Sequence, residues 1–440
     1  MGNSAVLVVG AGIAGIQASL DLANRGLTVY LVEKSPGIGG RMAQLDKTFP
    51  TMDCSICILA PKMIECFRHP KIKLLTCSEV KEVTGSAGNF KAKVLKNPRY
   101  VDANKCTGCS ACTEKCPVKV PSEFDVGMGM RKAIYMLFPQ AVPRVTSIDK
   151  DHCLYFQKGV CRICEKFCQP HAINFDQKPE EITLNVSSIV LATGLEIYDP
   201  ASISEYGYKR YKNVLLSLEF ERLINASGPT RGELLRPSDN KHPHRIVFIQ
   251  CVGSRTQQKG LPYCSSVCCM YATKEAILVR EHDPECEVYI LYMDLRVFGK
   301  RFQEFVSRAR DEWDVKYING RPSTILEDLS TKDLLVRYLD VFSGKMEELS
   351  TDLVVLCPAL IPREDNKVLA KIFNLELNEY GFFKTKDPLL MPVETNVEGV
   401  FICGYCQSPK DISESVTQAS AAAARAAEVT VSTVAGEAVE

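Results

Sequence analysis

Net charge is absent from this chain: 53 Lys and Arg stand against 53 Asp and Glu. A surface with no excess of either sign gives no electrostatic footprint for nucleic acid or for an acidic membrane, so neither is expected as a partner. No apolar run reaches the ~18 residues of a membrane span. No charged-then-apolar leader precedes the first apolar run at Ala5. The opening MGNSAV has Val6 where a myristoylation signal needs Ser or Thr. These absences predict a cytoplasmic protein with no direct membrane span. The 6 histidines are scattered without zinc-site spacing, and a single Trp informs nothing. The 440 residues suffice for two or three domains.

Cysteine, by contrast, is plentiful, with 20 residues. Without a secretion signal, clustered cysteines hold metal or do redox chemistry rather than build a disulfide scaffold. The stretch that organises the chain is nevertheless its start, AVLVVGAGIAGIQASLDLANRGLTVYLVEKSPGIGGR. An apolar strand leads into Gly10, Gly12 and Gly15, a helix follows, and a second apolar strand ends at Glu33 and Lys34. Gly10 permits the tight turn, Gly12 lets a pyrophosphate approach the backbone, and Gly15 lets helix and strand pack closely. The helix N-terminus favours phosphate, and Glu33 is placed to accept ribose hydroxyls. The following Gly39-Gly40-Arg41 tilts the choice of dinucleotide to FAD, with NAD the alternative.

Cys54 and Cys57 form a CxxC with three open readings: two buried thiols near the flavin, a redox disulfide, or part of a cluster ligand set completed by Cys66, Cys77 or a partner. Residues 71–94 alternate as a hairpin around Gly85-Ser86-Ala87-Gly88. Residues 97–180 then break the pattern. They carry Cys106-x2-Cys109-x2-Cys112-x3-Cys116-Pro117 and Cys153-x7-Cys161-x2-Cys164-x3-Cys168. In the double-cluster ferredoxin pattern the fourth cysteine of each run crosses to the other cluster. Cys106, Cys109, Cys112 and Cys168 are therefore assigned to one [4Fe–4S] cluster, and Cys153, Cys161, Cys164 and Cys116 to the other. The x7 gap implies a small loop and makes Cys153 the least regular ligand. Residues 124–138 read as helical. The strand ending at Ala192-Thr193-Gly194 returns the chain to the nucleotide, which makes the ferredoxin unit an insertion.

A second βα unit starts at HRIVFIQCVGSR, but its turn lacks the glycine set, so poor binding of NAD(P)H is expected there. In its place stands Cys251-x12-Cys264-x3-Cys268-Cys269, four cysteines that either close a further [4Fe–4S] site or are buried thiols. Lys274, one turn past Cys269, is a candidate catalytic cation near flavin or cluster, or a solvated helix lysine. Near the C-terminus, Gly404 ends a last flavin-facing strand, with Tyr405 where Asp is usual. An alanine-rich helix follows from about Ser413, and Ser415 in its first turn is a candidate flavin contact. Expected limits are 1–96, 181–235 and 351–440 for the FAD domain, 97–180 for the insert and 236–350 for the second Rossmann-like domain.

Together these blocks, with GGRMAQLDKTFPTMDCSICILAPKM, YCSSVCCMYATKEA and QSPKDISESVTQASAAAA, resemble the A subunit of heterodisulfide reductase over nearly the whole chain. The resemblance implies an α/β, two-dinucleotide-domain, thioredoxin-reductase-like flavoprotein with an inserted double-[4Fe–4S] domain. It also implies a third cluster on Cys251, Cys264, Cys268 and Cys269. It points to an oxidoreductase component of anaerobic metabolism whose flavin can split electron pairs between ferredoxin and a second acceptor. Implied partners are B- and C-like subunits, ferredoxin or a hydrogenase-linked small subunit, with a homodimer inside the larger complex. Longer members of the family carry further cluster domains at both ends, which this chain is expected to lack. Rival readings are the same module feeding a benzoyl-CoA reductase or a quinone-linked complex, a stand-alone flavin disulfide reductase using Cys54 and Cys57, and a redox-sensing or assembly subunit.

Overall fold

The computed structural model describes residues 5–437. Strand β1 (Ala5–Val9) is buried along its whole length, as a strand covered on both faces must be. Helix α1 (Ile13–Asn24) leads to β2 (Thr28–Val32). Helix α2 (Ser55–Arg68) precedes β3 (Ile72–Leu75). The hairpin β4 (Ser78–Ser86) and β5 (Asn89–Lys96) turns at Ala87-Gly88.

The chain then leaves this layer for short elements: α3 (Ala111–Lys115), β6 (Lys119–Pro121), β7 (Met130–Lys132), β8 (Ile134–Tyr135), β9 (Ser147–Ile148), α4 (Leu154–Lys158) and α5 (Ile163–Lys166). It returns at β10 (Glu180–Val186), which pairs antiparallel with β5, Glu180 opposite Lys96. The excursion over residues 97–179 thus starts and ends on neighbouring strands. The helix expected over 124–138 does not form. Val126 and Gly127 take left-handed φ of 48° and 85°, which breaks a helix, and the segment supplies β7 and β8 instead. Phe124 and Phe138 close it by stacking at 4.6 Å. The excursion is clamped to the body by buried Arg99, which donates to the carbonyls of Val145 (3.0 Å) and Pro36 (2.7 Å). Buried Arg222 adds bonds to Asp125 (3.0 Å) and the Gln44 carbonyl (3.0 Å).

After β11 (Ser188–Leu191) and β12 (Leu195–Ile197) the second sheet begins with β13 (Val214–Leu216), α6 (Ser217–Ile224), β14 (Arg245–Val252) and α7 (Cys268–His282). It continues through β15 (Glu287–Tyr292), α8 (Phe302–Asp311), β16 (Lys316–Glu327), β17 (Leu334–Asp340), β18 (Met346–Thr351) and β19 (Leu353–Pro358). The chain crosses back through β20 (Leu360–Pro362), which pairs with β12, then α9 (Asn366–Phe373), β21 (Val400–Ile402) and α10 (Ile412–Glu437).

The first sheet has the order β21-β11-β1-β2-β3, all parallel. Helix α10 packs on α1 through fully buried Ala419, Ala422, Ala423 and Ala426. The second sheet runs β13-β19-β14-β15-β16-β17-β18. The limits 236–350 expected for this unit are too narrow: β13 and β19 hydrogen-bond into it, so it spans residues 214–358. Three-residue β13 is too short to show a period, and β19 follows β18 after one residue. Among the described residues no helix is long and apolar enough to cross a membrane.

Candidate functional site

A cavity of about 830 Å³ lies between the two sheets, where β1, β2 and β11 end and α1 and α10 begin. Gly10, Gly12, Glu33, Lys34, Gly40, Arg41, Ala192, Thr193, Gly194, Gly404 and Ser415 line it, and Lys274 reaches it from the second sheet. Gly15 does not line it. A Cβ there would stand 1.8 Å from the Gly10 carbonyl oxygen, so its part is the contact of helix on strand. Gly10 has φ +97° and its Cβ would strike the Ala192 carbonyl, so no other residue fits this turn. Gly194 instead faces open space, and the nearest atom to a Cβ on Gly12 would be 4.0 Å away, so the two form a cradle that side chains would fill.

The Glu33 carboxylate accepts from Ala11 N–H (2.8 Å) and Ser35 N–H (2.8 Å), which fixes it at the mouth of the α1 turn. Arg41 faces Arg363; burial first, and then that second guanidinium, lower its pKa. Two cations beside a helix N-terminus suit a pyrophosphate. At the other end Lys410 bonds the carbonyls of Gly404 (3.1 Å) and Ser408 (2.9 Å), and burial lowers its ammonium to about 8. The Tyr405 hydroxyl donates across the domain crossing to the Ser265 carbonyl, 3.2 Å away. The tyrosine found in place of the usual Asp therefore ties the two sheets together. Arg363, which lines the cavity, carries no sequence signal. Lys410 and Tyr271, which also line it, stand inside the QSPKDISESVTQASAAAA and YCSSVCCMYATKEA blocks and are not singled out by them.

The innermost wall is a buried charge cluster. Lys274 is ion-paired with Glu221, both side chains almost fully buried. It is therefore not the solvated helix lysine that its sequence context also allowed. Asp46 N–H donates to Glu221 (2.9 Å), and Glu275 stands next along α7 with a buried Oε2 that has no hydrogen-bond partner. An orphaned buried oxygen is costly, and here it belongs to a residue of the cavity wall, where a bound flavin's polar edge can satisfy it. Size, glycine cradle, paired cations and orphaned oxygen together fit FAD.

Burial lowers Lys274 to about 8 against the pull of Glu275 and Asp46. Burial raises Glu275 to about 8 against Lys274. The fold holds the Glu275 proton above the unfolded carboxylate range, so stability falls as pH rises from about 4.5 to about 8. The unfolded chain keeps the Lys274 proton to about 10.5, so stability rises again from about 8 to about 10.5. A stability minimum near pH 8 is expected, with limbs of at most about 1.4 kcal/mol per pH unit. Denaturant midpoints across pH read it, and the variant Lys274→Met/Glu221→Gln/Glu275→Gln, which leaves no unpaired partner of the ion pair, flattens it.

In the excursion, Cys106, Cys109, Cys112 and Cys168 surround one small pocket with Thr146 and Ile173. The Ala111 N–H and the Thr107 hydroxyl hold the Cys109 thiol below its usual value, and N–H groups aimed at sulfur are what a cluster ligand needs. Cys164 is pushed up to about 12 by burial and has Cys153, Cys112 and Cys116 as neighbours. Cys161 takes a left-handed turn (φ 80°) just before α5, which carries Cys164. The x7 gap is filled by α4, with Cys153 at its N-cap. Among the described residues no three His, Cys, Asp or Glu converge on a single-ion spacing.

In the second sheet Cys268 has Cys251, Cys269 and Cys264 as neighbours, so all four lie together. Burial raises Cys268, and raises Cys269 to about 11. Ser266 N–H points at Cys264 (3.4 Å) and Arg296 N–H at Cys269 (3.5 Å). Fully buried Cys357 adjoins the group. Tyr271 touches both centres: it hydrogen-bonds Cys268 and lines the cavity. A Cβ on Gly253, in the turn after β14, would meet the Tyr198 ring at 2.4 Å, so this turn is packed where a dinucleotide would need room. Cys54 and Cys57 are joined by a disulfide and neither lines the cavity. Cys57 is exposed, which corrects the buried-thiol reading. Cys66 is buried on the opposite face of α2, and Cys77 lies against Arg99 and Glu33, so neither is placed to complete a set with them.

The profile of FAD dependent oxidoreductases matches residues 5–53, and that of 4Fe-4S binding domains matches residues 99–122. The chain is 55% identical over 421 residues to the iron-sulfur A subunit of the CoB–CoM heterodisulfide reductase of Methanocaldococcus jannaschii, covering 96% of this chain and 63% of that protein. It is 51% identical over 421 residues to the A subunit of the H(2):CoB-CoM heterodisulfide,ferredoxin reductase of Methanothermobacter thermautotrophicus, with the same two coverages, 96% and 63%. The chain thus spans a little under two thirds of these relatives' length. Among solved structures, the thioredoxin reductase of Lactococcus lactis is similar at 15% identity and TM-score 0.54, covering 98% of this chain and 99% of that one. That likeness shows the two-dinucleotide-domain fold.

Proposed function

The chain belongs to the family of heterodisulfide reductase A subunits, and from that membership we propose that it is the FAD- and iron–sulfur-carrying electron-transfer component of an oxidoreductase complex. Bound FAD supplies the exchange between two-electron and one-electron chemistry. Gly10, Gly12 and the α1 N-terminus receive the pyrophosphate together with Arg41 and Arg363, Glu33 the ribose, and Gly404, Ser415 and Lys410 the far end. Thr193 and Gly194 line the approach between them. The excursion holds two [4Fe–4S] clusters on the two sets of four cysteines, and Cys251, Cys264, Cys268 and Cys269 hold a third.

The observation that carries this reading is α7. It begins with Cys268 and Cys269 and, within two turns, brings Tyr271, Lys274 and Glu275 to the cavity. One helix thus ties a cysteine set to the buried proton-holding groups. Below about pH 8 Glu275 keeps its proton and Lys274 its charge. The pair can give or take a proton at the cavity wall as electrons arrive or leave. The relatives' names couple a heterodisulfide with ferredoxin. For this chain the corresponding proposal is that electron pairs divide between a ferredoxin and a second acceptor on B- and C-like partner subunits.

Anaerobic iron, sulfide and flavin analysis, with parallel reduction by NADH, NADPH and reduced ferredoxin, tests the reading. One FAD and ~12 iron atoms per chain are expected. About eight iron removes the third site, and about sixteen brings Cys54 and Cys57 in as ligands. Flavin bleaching by ferredoxin and not by NAD(P)H is expected. Rapid bleaching by NAD(P)H alone overturns the electron-transfer reading.

A further inference from the structure

We infer that Cys54 and Cys57 are a surface site for thiol–disulfide exchange with the dithiol of a partner protein. The two are bonded across three residues of sequence at the start of α2. They sit outside the flavin cavity and outside every four-cysteine set, so neither a flavin contact nor a cluster accounts for them. Their surroundings differ from one another. Cys57 is exposed, whereas Cys54 is partly covered and caps α2, its sulfur accepting the Cys57 N–H at 3.2 Å. An incoming thiolate reaches Cys57 first. The sulfur that then leaves is Cys54, at a helix N-terminus where negative charge is favoured and an N–H donor is already in place. Access and leaving group therefore select the same bond-breaking direction.

The outer face of α2 supports a protein as the partner. Ile58, Ile64 and Phe67 are 40%, 42% and 50% exposed there. Cys57, Pro61 and Ile64 follow at i, i+4 and i+7, so the exposed sulfur continues an apolar stripe. The exchange balances. A partner thiolate attacks Cys57 Sγ, a partner–Cys57 disulfide forms, and Cys54 leaves as thiolate and takes a proton from solvent. The partner's second thiolate then attacks its own mixed-disulfide sulfur and releases Cys57. Two electrons and two protons pass from the partner, which becomes a disulfide, to the Cys54/Cys57 pair.

The test uses the full chain with FAD and clusters under anaerobic conditions, with differential alkylation and mass spectrometry as readout. After equilibration with oxidised glutathione the pair is expected to be closed, and reduced thioredoxin, used as the probe, is expected to open it. In Cys54→Ser, oxidised glutathione leaves Cys57 as its glutathione mixed disulfide. A thioredoxin lacking its second active-site cysteine is expected to displace glutathione there and stay bonded to Cys57. The same exchange at Cys54 in Cys57→Ser is expected at least about tenfold less. FAD and iron equal to the parent show that each variant is folded. Free thiols persisting in oxidised glutathione, a disulfide that thioredoxin leaves closed, or equal trapping by both variants overturns the inference. So does the loss of about four iron atoms from Cys54→Ser/Cys57→Ser with FAD retained, since that makes the pair cluster ligands.

Discussion

Replacing Cys268 by serine is expected to lower the iron content from ~12 to ~8 atoms per chain while FAD stays bound. Cys268 is almost fully buried at the first position of α7 and has Cys251, Cys264 and Cys269 as neighbours. Serine keeps the volume and the helix start, so the fold has no reason to fail, but a hydroxyl does not replace a thiolate on iron. Three ligands are left, and the Tyr271 hydroxyl loses its sulfur partner. Cys357→Ser is the matched control. It removes an equally buried thiol from the same neighbourhood, and it is expected to keep ~12 iron atoms. Iron loss from Cys357→Ser with none from Cys268→Ser would show the ligand set to be wrongly drawn. Both variants are read by iron and sulfide analysis and by the low-temperature electron paramagnetic resonance of the reduced chain.

Lys274→Met is expected to act on stability and on rate together. Lys274 is the ion-pair partner of buried Glu221, and Glu275 and Asp46 are its further carboxylate neighbours. Removing one partner of a buried pair leaves an uncompensated charge, which costs about 3–5 kcal/mol. The double variant Lys274→Met/Glu221→Gln removes both charges and is expected to recover most of that loss. The rate separates a purely structural role from a proton-holding one. If the lysine holds a proton at the cavity, flavin reduction by ferredoxin falls about 100-fold in both variants, and the double variant regains stability without regaining rate. Recovery of both would leave Lys274 as a structural cation only. Denaturant midpoints and stopped-flow flavin bleaching read the two quantities.

Much of this site is legible in the sequence because its chemistry depends on local spacing. The strand-to-helix turn needs Gly10 for its backbone conformation, Gly12 for open space and Gly15 for the contact of helix on strand, all close together in sequence. The first cluster run, Cys106 to Cys116, needs CxxC steps that wrap backbone round a small inorganic core. The same local pattern assigns Cys168 to the first cysteine set, and Cys168 lines one pocket with Cys106, Cys109 and Cys112. The readings that fail are those that lacked a strong local signal. Residues 124–138 look helical by composition, yet Val126 and Gly127 turn left-handed and the segment pairs as strands. The second domain's limits miss β13 because three apolar residues carry no readable period.

The sequence by itself determined the two dinucleotide-type units, the cysteine-rich insertion between β5 and β10, and the loss of glycines in the second βα turn, since each is written in residues a few positions apart. Only the tertiary structure decided what converges on the cavity's inner wall. Glu221 comes from α6, Lys274 and Glu275 from α7, and Asp46 from the loop before α2. Arg363 comes from beyond β20 to face Arg41. Their charges are set by burial, a property of how the two sheets close on one another, and no spacing along the chain encodes it. Cys54 and Cys57 show the same division: the CxxC is plain in the sequence, but that it lies outside the cavity, on an exposed helix face, was settled by packing.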